Sequence, residues 1–115
     1  MKSSEFQGSF DILPWSQAEK RIARKAYNTA LHRELEGVIT EVKERVRRMD
    51  KPGHLWELEA FLTRRRKEID RQYDFRYSVL PVVFANLIAA GRLSEQDLEG
   101  LREDKLAPIR CWAKL

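Results

Sequence analysis

The chain has 115 residues, with 22 Lys and Arg against 18 Asp and Glu, 43% hydrophobic and 35% charged residues, and a single Cys. That length supports one modest core and no second domain, and one Cys excludes an internal disulfide and leaves a zinc site short of ligands. No apolar run reaches the roughly 20 residues needed to span a bilayer, and the first residues lack a basic segment followed by an apolar one, so a cytoplasmic protein without membrane insertion is expected.

Only 5 Gly and 4 Pro, in a chain rich in Ala, Leu, Glu, Lys and Arg, favour an all-α fold. The net charge of +4 is spread over interleaved acids and bases. Glu41 with Arg45 and Glu44 with Arg48 stand at helical spacing, the pattern of a solvated helix surface, so no nucleic-acid partner is expected.

Residues 1–14 carry Phe6, Phe10, Ile12 and Leu13 among Ser, Gly and Gln without a sustained period, and read as a flexible arm. Ser16 and Glu19 then form a capping box that starts helix 1. Tyr27, Leu31, Leu35, Val38, Ile39, Val42, Val46 and Met49 recur in steps of three and four along it, while Ala18, Ile22, Ala23, Ala26 and Ala30 form a second, small-residue face suited to close helix approach. No Pro interrupts the pattern before the turn at Asp50-Lys51-Pro52-Gly53. About 32 residues at about 1.5 Å each make a rod of roughly 48 Å, longer than the diameter of about 35 Å of a compact chain this size. A second copy covering the overhang is the expected solution, so the chain reads as a homodimer with Leu31, Leu35, Val38, Val42 and Trp56 at the interface.

Helix 2, from about His54 to Arg71, is expected to pack back antiparallel on helix 1. Leu55, Leu58, Leu62, Ile69 and Tyr73 make its apolar stripe, and Phe61 widens it. Trp56 stands off this stripe, on a side shared with Ala60, Thr63 and Lys67, whereas Arg66 projects within it, where a charge needs a partner. Together these helices form a stalk over 15–76. A head follows over 77–115: an apolar helix from Leu80 to Ala90 closed by Gly91 in a left-handed cap, a short helix from Ser94, and a last helix capped by Asp104 and carrying Leu106, Ile109, Trp112 and Leu115, with Pro108 awkward inside it.

Catalytic chemistry finds no support in these residues. His32 and His54 lie on different helices with no Cys, Ser or carboxylate placed beside either in a recognisable catalytic pattern, and Glu68 and Asp70 point to different sides of one helix. The run Arg64-Arg65-Arg66-Lys67 spreads around more than half the helix circumference and reads mainly as a solvated face. No enzyme, cofactor or metal site is expected.

Several blocks in fixed order nevertheless resemble one family. They are Trp15-Ser-Gln-Ala-Glu19, Arg33-Glu-Leu35, Leu55-Trp56 followed by Phe61-Leu62, Arg66-x-Glu68-Ile69-Asp70-x-x-Tyr73-Asp74-x-Arg76, Val83-Phe84-Ala85 and Asp104-Lys105. They resemble the fluorescence recovery proteins of cyanobacteria, over nearly the whole chain from Trp15. The resemblance implies an all-helical homodimer with a two-helix stalk and a C-terminal head, cytoplasmic or peripheral to thylakoids. It also implies a partner, the C-terminal domain of photoactivated orange carotenoid protein, whose return to the orange form such a regulator speeds, ending quenching at the phycobilisome. Carried over position by position, the partner-binding residues are Trp56, Glu59, Ala60, Phe61, Arg66 and Lys105. The sequence departs from the family pattern at Glu59 and Ala60, where His and Asp follow the family's Trp, and at Val82 and Pro108, where an aromatic residue and a Lys stand in the head. Loss of the Asp removes a charged acceptor, so a dimer serving another protein client is the alternative expectation.

Overall fold

In the computed structural model, which describes residues 14–114, α1 (Gln17–Arg47) begins at the expected cap. The Glu19 amide donates to Ser16 Oγ at 3.1 Å and the Ser16 amide to Glu19 Oε1 at 3.1 Å. The helix runs 31 residues. The molecule's longest extent is 57 Å, and its radius of gyration of 17.7 Å exceeds the roughly 13 Å of a compact chain this long.

The chain then turns through 48–51 into α2 (Pro52–Gln72), with Pro52 as the first helical residue rather than part of the turn. Its missing N–H would be unsatisfied there in any residue, and its fixed φ already suits a helix. The hairpin is antiparallel, as cross-helix contacts at successive heights show. The Arg45 guanidinium lies 4.2 Å from the Phe61 ring centroid, Arg65 meets Glu34, and the Tyr73 hydroxyl donates to the Ala30 carbonyl at 3.2 Å.

The head is built on α3 (Leu80–Ala89), a single 3-10 turn (Glu95–Leu98) and α4 (Glu103–Ala113); among the described residues there is no strand. Leu80, Phe84, Leu87, Leu98 and Ile109 are fully or almost fully buried there. Ala23, Ala26 and Ala30 of α1 belong to the same core. Ala23, Ala26 and Ala30 of the small-residue face therefore pack within the chain, and the first half of α1 is as much head as stalk.

Gly91, at φ 79°, closes α3 with the expected left-handed residue. The Gly91 amide donates to the Ile88 carbonyl at 3.0 Å and the Arg92 amide to the Leu87 carbonyl at 2.8 Å, the paired bonds of a Schellman motif. Ser94 and Asp97 do form a capping box, but it starts only the 3-10 turn. Arg102, not Asp104, stands at the N-cap of α4, and Asp104 sits in the first turn, where its charge suits the helix dipole. Pro108 is accommodated inside α4. The arm before Pro14 and Leu115 lie outside the described residues.

Candidate functional site

The splay of α1 and α2 generates the site. Phe61 and Arg65, rather than the centre of the apolar stripe, face α1, so α2 is rotated and its stripe opens sideways. Leu31, Leu35 and Val38 of α1 and Leu55, Leu58, Leu62 and Ile69 of α2 line an open groove of about 620 Å³. Leu35 stays 45% exposed and Leu55 53%. Arg66, with Glu59 and Asp70, borders this groove. Its guanidinium is exposed and makes no ion pair within the described chain.

Behind α2 lies a second, shallower depression lined by Trp56, Ala60, Arg64, Lys67 and Arg71, with Glu59 and Thr63 shared between the two. Trp56 is 68% exposed, so a large indole stands in water beside the methyl group of Ala60. Trp56, Glu59, Ala60 and Arg66 are thus brought onto one exposed stretch of α2, but Trp56 does not share the groove with Leu31, Leu35 and Val38. Val42 is half-buried beyond that groove's lining.

Two expected contact residues are not at the surface. Phe61 is buried under Arg45 because it fills the seam between the helices. Lys105 is 0% exposed, donating to the Pro14 carbonyl and pairing with Glu19 at 3.0 Å and with Asp104 at 3.2 Å. A Lys held this way closes the head around the start of α1.

Glu34 holds the junction of stalk and head. This buried carboxylate accepts from Arg65 Nη2 at 2.5 Å, Tyr73 Oη at 3.0 Å and Arg92 Nε at 3.2 Å, and Arg65 also reaches Glu68 at 2.8 Å. Burial opposes ionisation of Glu34, but the hydrogen bonds from Arg65 and Tyr73 and the charges of Arg92 and Arg65 outweigh it and hold its pKa below the ordinary value. Burial and the same carboxylate push the Tyr73 hydroxyl well above its ordinary value, so it remains a donor. Glu19 follows the same logic: burial is outweighed by the Arg102 and Ser16 amides and by Lys105, and its pKa is lowered. The arginine that meets a carboxylate at the seam is therefore Arg65, not Arg66. A signal for both acids was present, since Glu19 and Glu34 continue the three-and-four spacing of Ala23, Ala26 and Ala30 at either end. Acids placed in register with a buried face need buried partners.

Among the described residues, no three His, Cys, Asp or Glu side chains converge as metal ligands would. His32 Nε2 lies 3.2 Å from Glu36, and His54 Nδ1 accepts from the Asp50 amide at 3.2 Å.

Residues 15–113 match the family described as photoprotection regulator fluorescence recovery protein. The chain belongs to that family. It is 38% identical over 102 residues to the fluorescence recovery protein of Synechocystis sp., covering 89% of this chain and 94% of that one. The solved structure of the Fremyella diplosiphon fluorescence recovery protein superposes with a TM-score of 0.82 at 37% identity, covering 89% of this chain and all, 100%, of that one. That of the Synechocystis sp. PCC 6803 protein does so at 0.82 and 38%, with the same coverage. The relatives are named for regulation rather than for a reaction, and membership makes this chain a photoprotection regulator of all-helical fold. No helix among the described residues is long and apolar enough to cross a membrane.

Proposed function

We propose that this fluorescence recovery protein homologue works without catalysis, as a homodimer that engages the C-terminal domain of photoactivated orange carotenoid protein. In this reading it speeds that protein's reversion to the orange form and so ends quenching at the phycobilisome. The observation that carries the reading is the apolar groove that one chain leaves open along its stalk, in a chain that belongs to this family. Leu35, Ile39, Leu55 and Leu62 are each roughly half exposed, and burying the remainder contributes about 1 kcal/mol per side chain. Counted on two copies this is about 8 kcal/mol, against an association cost that starts at about 4 kcal/mol. That gain falls within an association cost of about 4–15 kcal/mol, so a two-fold dimer built on these side chains stands near balance and single substitutions shift it. Trp56 and Arg66, exposed on adjoining sides of α2, are the proposed contacts with the client.

Ala60 supports a second reading. The depression beside Trp56 presents a methyl group where the family pattern places Asp, and removing one partner of an interfacial charge pair costs about 2–5 kcal/mol. The same dimer then serves another protein client.

The two readings separate when purified chain is mixed with photoactivated carotenoid protein and the red-to-orange decay is followed with co-elution. Faster decay and a common elution peak support the first. An unchanged decay with no co-elution refutes it, and gained binding in Ala60→Asp then shows that the site rather than the fold differs.

A further inference from the structure

From the geometry we infer that the outer face of the first half of α1 is a docking surface for an acidic stretch of a protein partner, separate from the groove and from Trp56. Gln17, Lys20, Arg21, Arg24, Lys25 and Asn28 follow one another at helical spacing on this face and line a broad depression of about 890 Å³ that Tyr77 also borders. Cations in the opening turns of a helix oppose its dipole. Here they are not neutralised, since among the described residues none of Lys20, Arg21, Arg24 and Lys25 forms an ion pair. The neighbouring acids are already engaged: Glu19 turns inward to Lys105, Asp74 binds Arg76 at 2.6 Å, and Asp97 binds Arg33 at 2.9 Å. At the far end of the depression Glu36 is with His32. The face therefore keeps a concentrated positive potential.

Two of these cations are also held in place. The Arg24 guanidinium lies 3.6 Å from the Phe75 ring centroid, and Lys20 Nζ lies 5.4 Å from that of Tyr77. These contacts with rings packed on the head limit the rotamer entropy lost when a carboxylate arrives. The same contacts weigh against nucleic acid. Proteins that hold single strands offer free aromatic faces to the bases, whereas here the cations cover the ring faces. A row of carboxylates is the chemistry that fits.

This inference rests on the reading of the chain as a regulator of protein partners, but it is testable without the carotenoid protein. Fluorescence anisotropy measures binding of a labelled poly-glutamate peptide and of an oligothymidylate of equal charge to the full chain. The variants are Arg21→Glu/Arg24→Glu/Lys25→Glu and, as a control, Lys43→Glu/Lys51→Glu, which reverses exposed charges elsewhere. The expected result is peptide binding that weakens about tenfold or more in the first variant and little in the second, with the oligonucleotide bound no more tightly than the peptide. Equal losses in both variants, unchanged binding in the first, or preference for the oligonucleotide would each overturn the inference. Circular dichroism confirms that the variants are folded, and an inactive chain in the reversion assay would leave these outcomes unaltered.

Discussion

Replacing Glu34 tests how the stalk is fixed to the head. Its side chain is 7% exposed and bonds Arg65, Tyr73 and Arg92 together. Removing one member of a buried ionic cluster strands the others and commonly costs about 3–5 kcal/mol. Here Arg65 keeps Glu68 at 2.8 Å, and Arg65 and Arg92 are 21% and 33% exposed, so both regain water. The expected loss for Glu34→Ala is therefore at the low end, about 3 kcal/mol, and for Glu34→Gln, which keeps a neutral acceptor, about 1–2 kcal/mol. Against a total stability of about 5–15 kcal/mol these are large effects. Urea unfolding followed by far-ultraviolet circular dichroism, at one fixed protein concentration because association adds to apparent stability, reads them directly. The sign of the pH effect follows from the lowered pKa. On acidification through its ordinary value of 4.5 the unfolded Glu34 takes up a proton before the folded one does. Its contribution is complete above that value and is lost as pH falls through the folded pKa. Wild type should thus lose stability on acidification more steeply than Glu34→Gln. Stability of Glu34→Ala within about 0.5 kcal/mol of wild type, the range of ordinary surface substitutions, would refute the reasoning.

Gly100→Ala places a methyl group 2.6 Å from Ile22 Cδ1 at a residue with φ 104°, and thermal melting should show a loss of about 2–4 kcal/mol, only partly relieved by Ile22→Val. Lys105→Met strands Glu19 inside the head and should cost about 3 kcal/mol, while Lys105→Met/Glu19→Gln costs less than the two single losses together in a double-mutant cycle. Ser16→Ala removes the α1 cap and should lower stability by about 1 kcal/mol in the same denaturant assay.

Local rules made most of the fold legible. The capping box at Ser16, the apolar segment from Leu80 and the left-handed Gly91 all report short-range physics and stand where that physics predicts, whereas the turn before α2 falls at 48–51 because Pro52 enters the helix as its first residue. Interactions between elements were less legible. Helical projection found the stripe through Leu55, Leu62 and Ile69 but not the rotation of α2, because Phe61 and Arg65 reach α1 from the stripe's edge. Exposed Arg66 and half-buried Arg65 differ by one step around the helix, and only the position of Glu34 on the facing element decides between them. Lys105 shows the same limit: a Lys after Asp104 reads as surface until Glu19, 86 residues earlier, is seen to enter the head beside it. At the candidate site, exposure of Trp56 and Ala60 followed from their standing off the stripe. The basic face of α1 was hidden, since Glu19 reads as its neighbour in sequence yet turns inward in the fold.

If a second copy covers the open groove on the stalk, light scattering reads it in the solution mass of the full chain. The mass should be twice the 13.6 kDa of one chain, falling to that of one chain in Leu55→Glu, which puts a charge into the groove without disturbing the head. A single-chain mass for the wild type at micromolar concentration, or a dimer that survives Leu55→Glu, would contradict it.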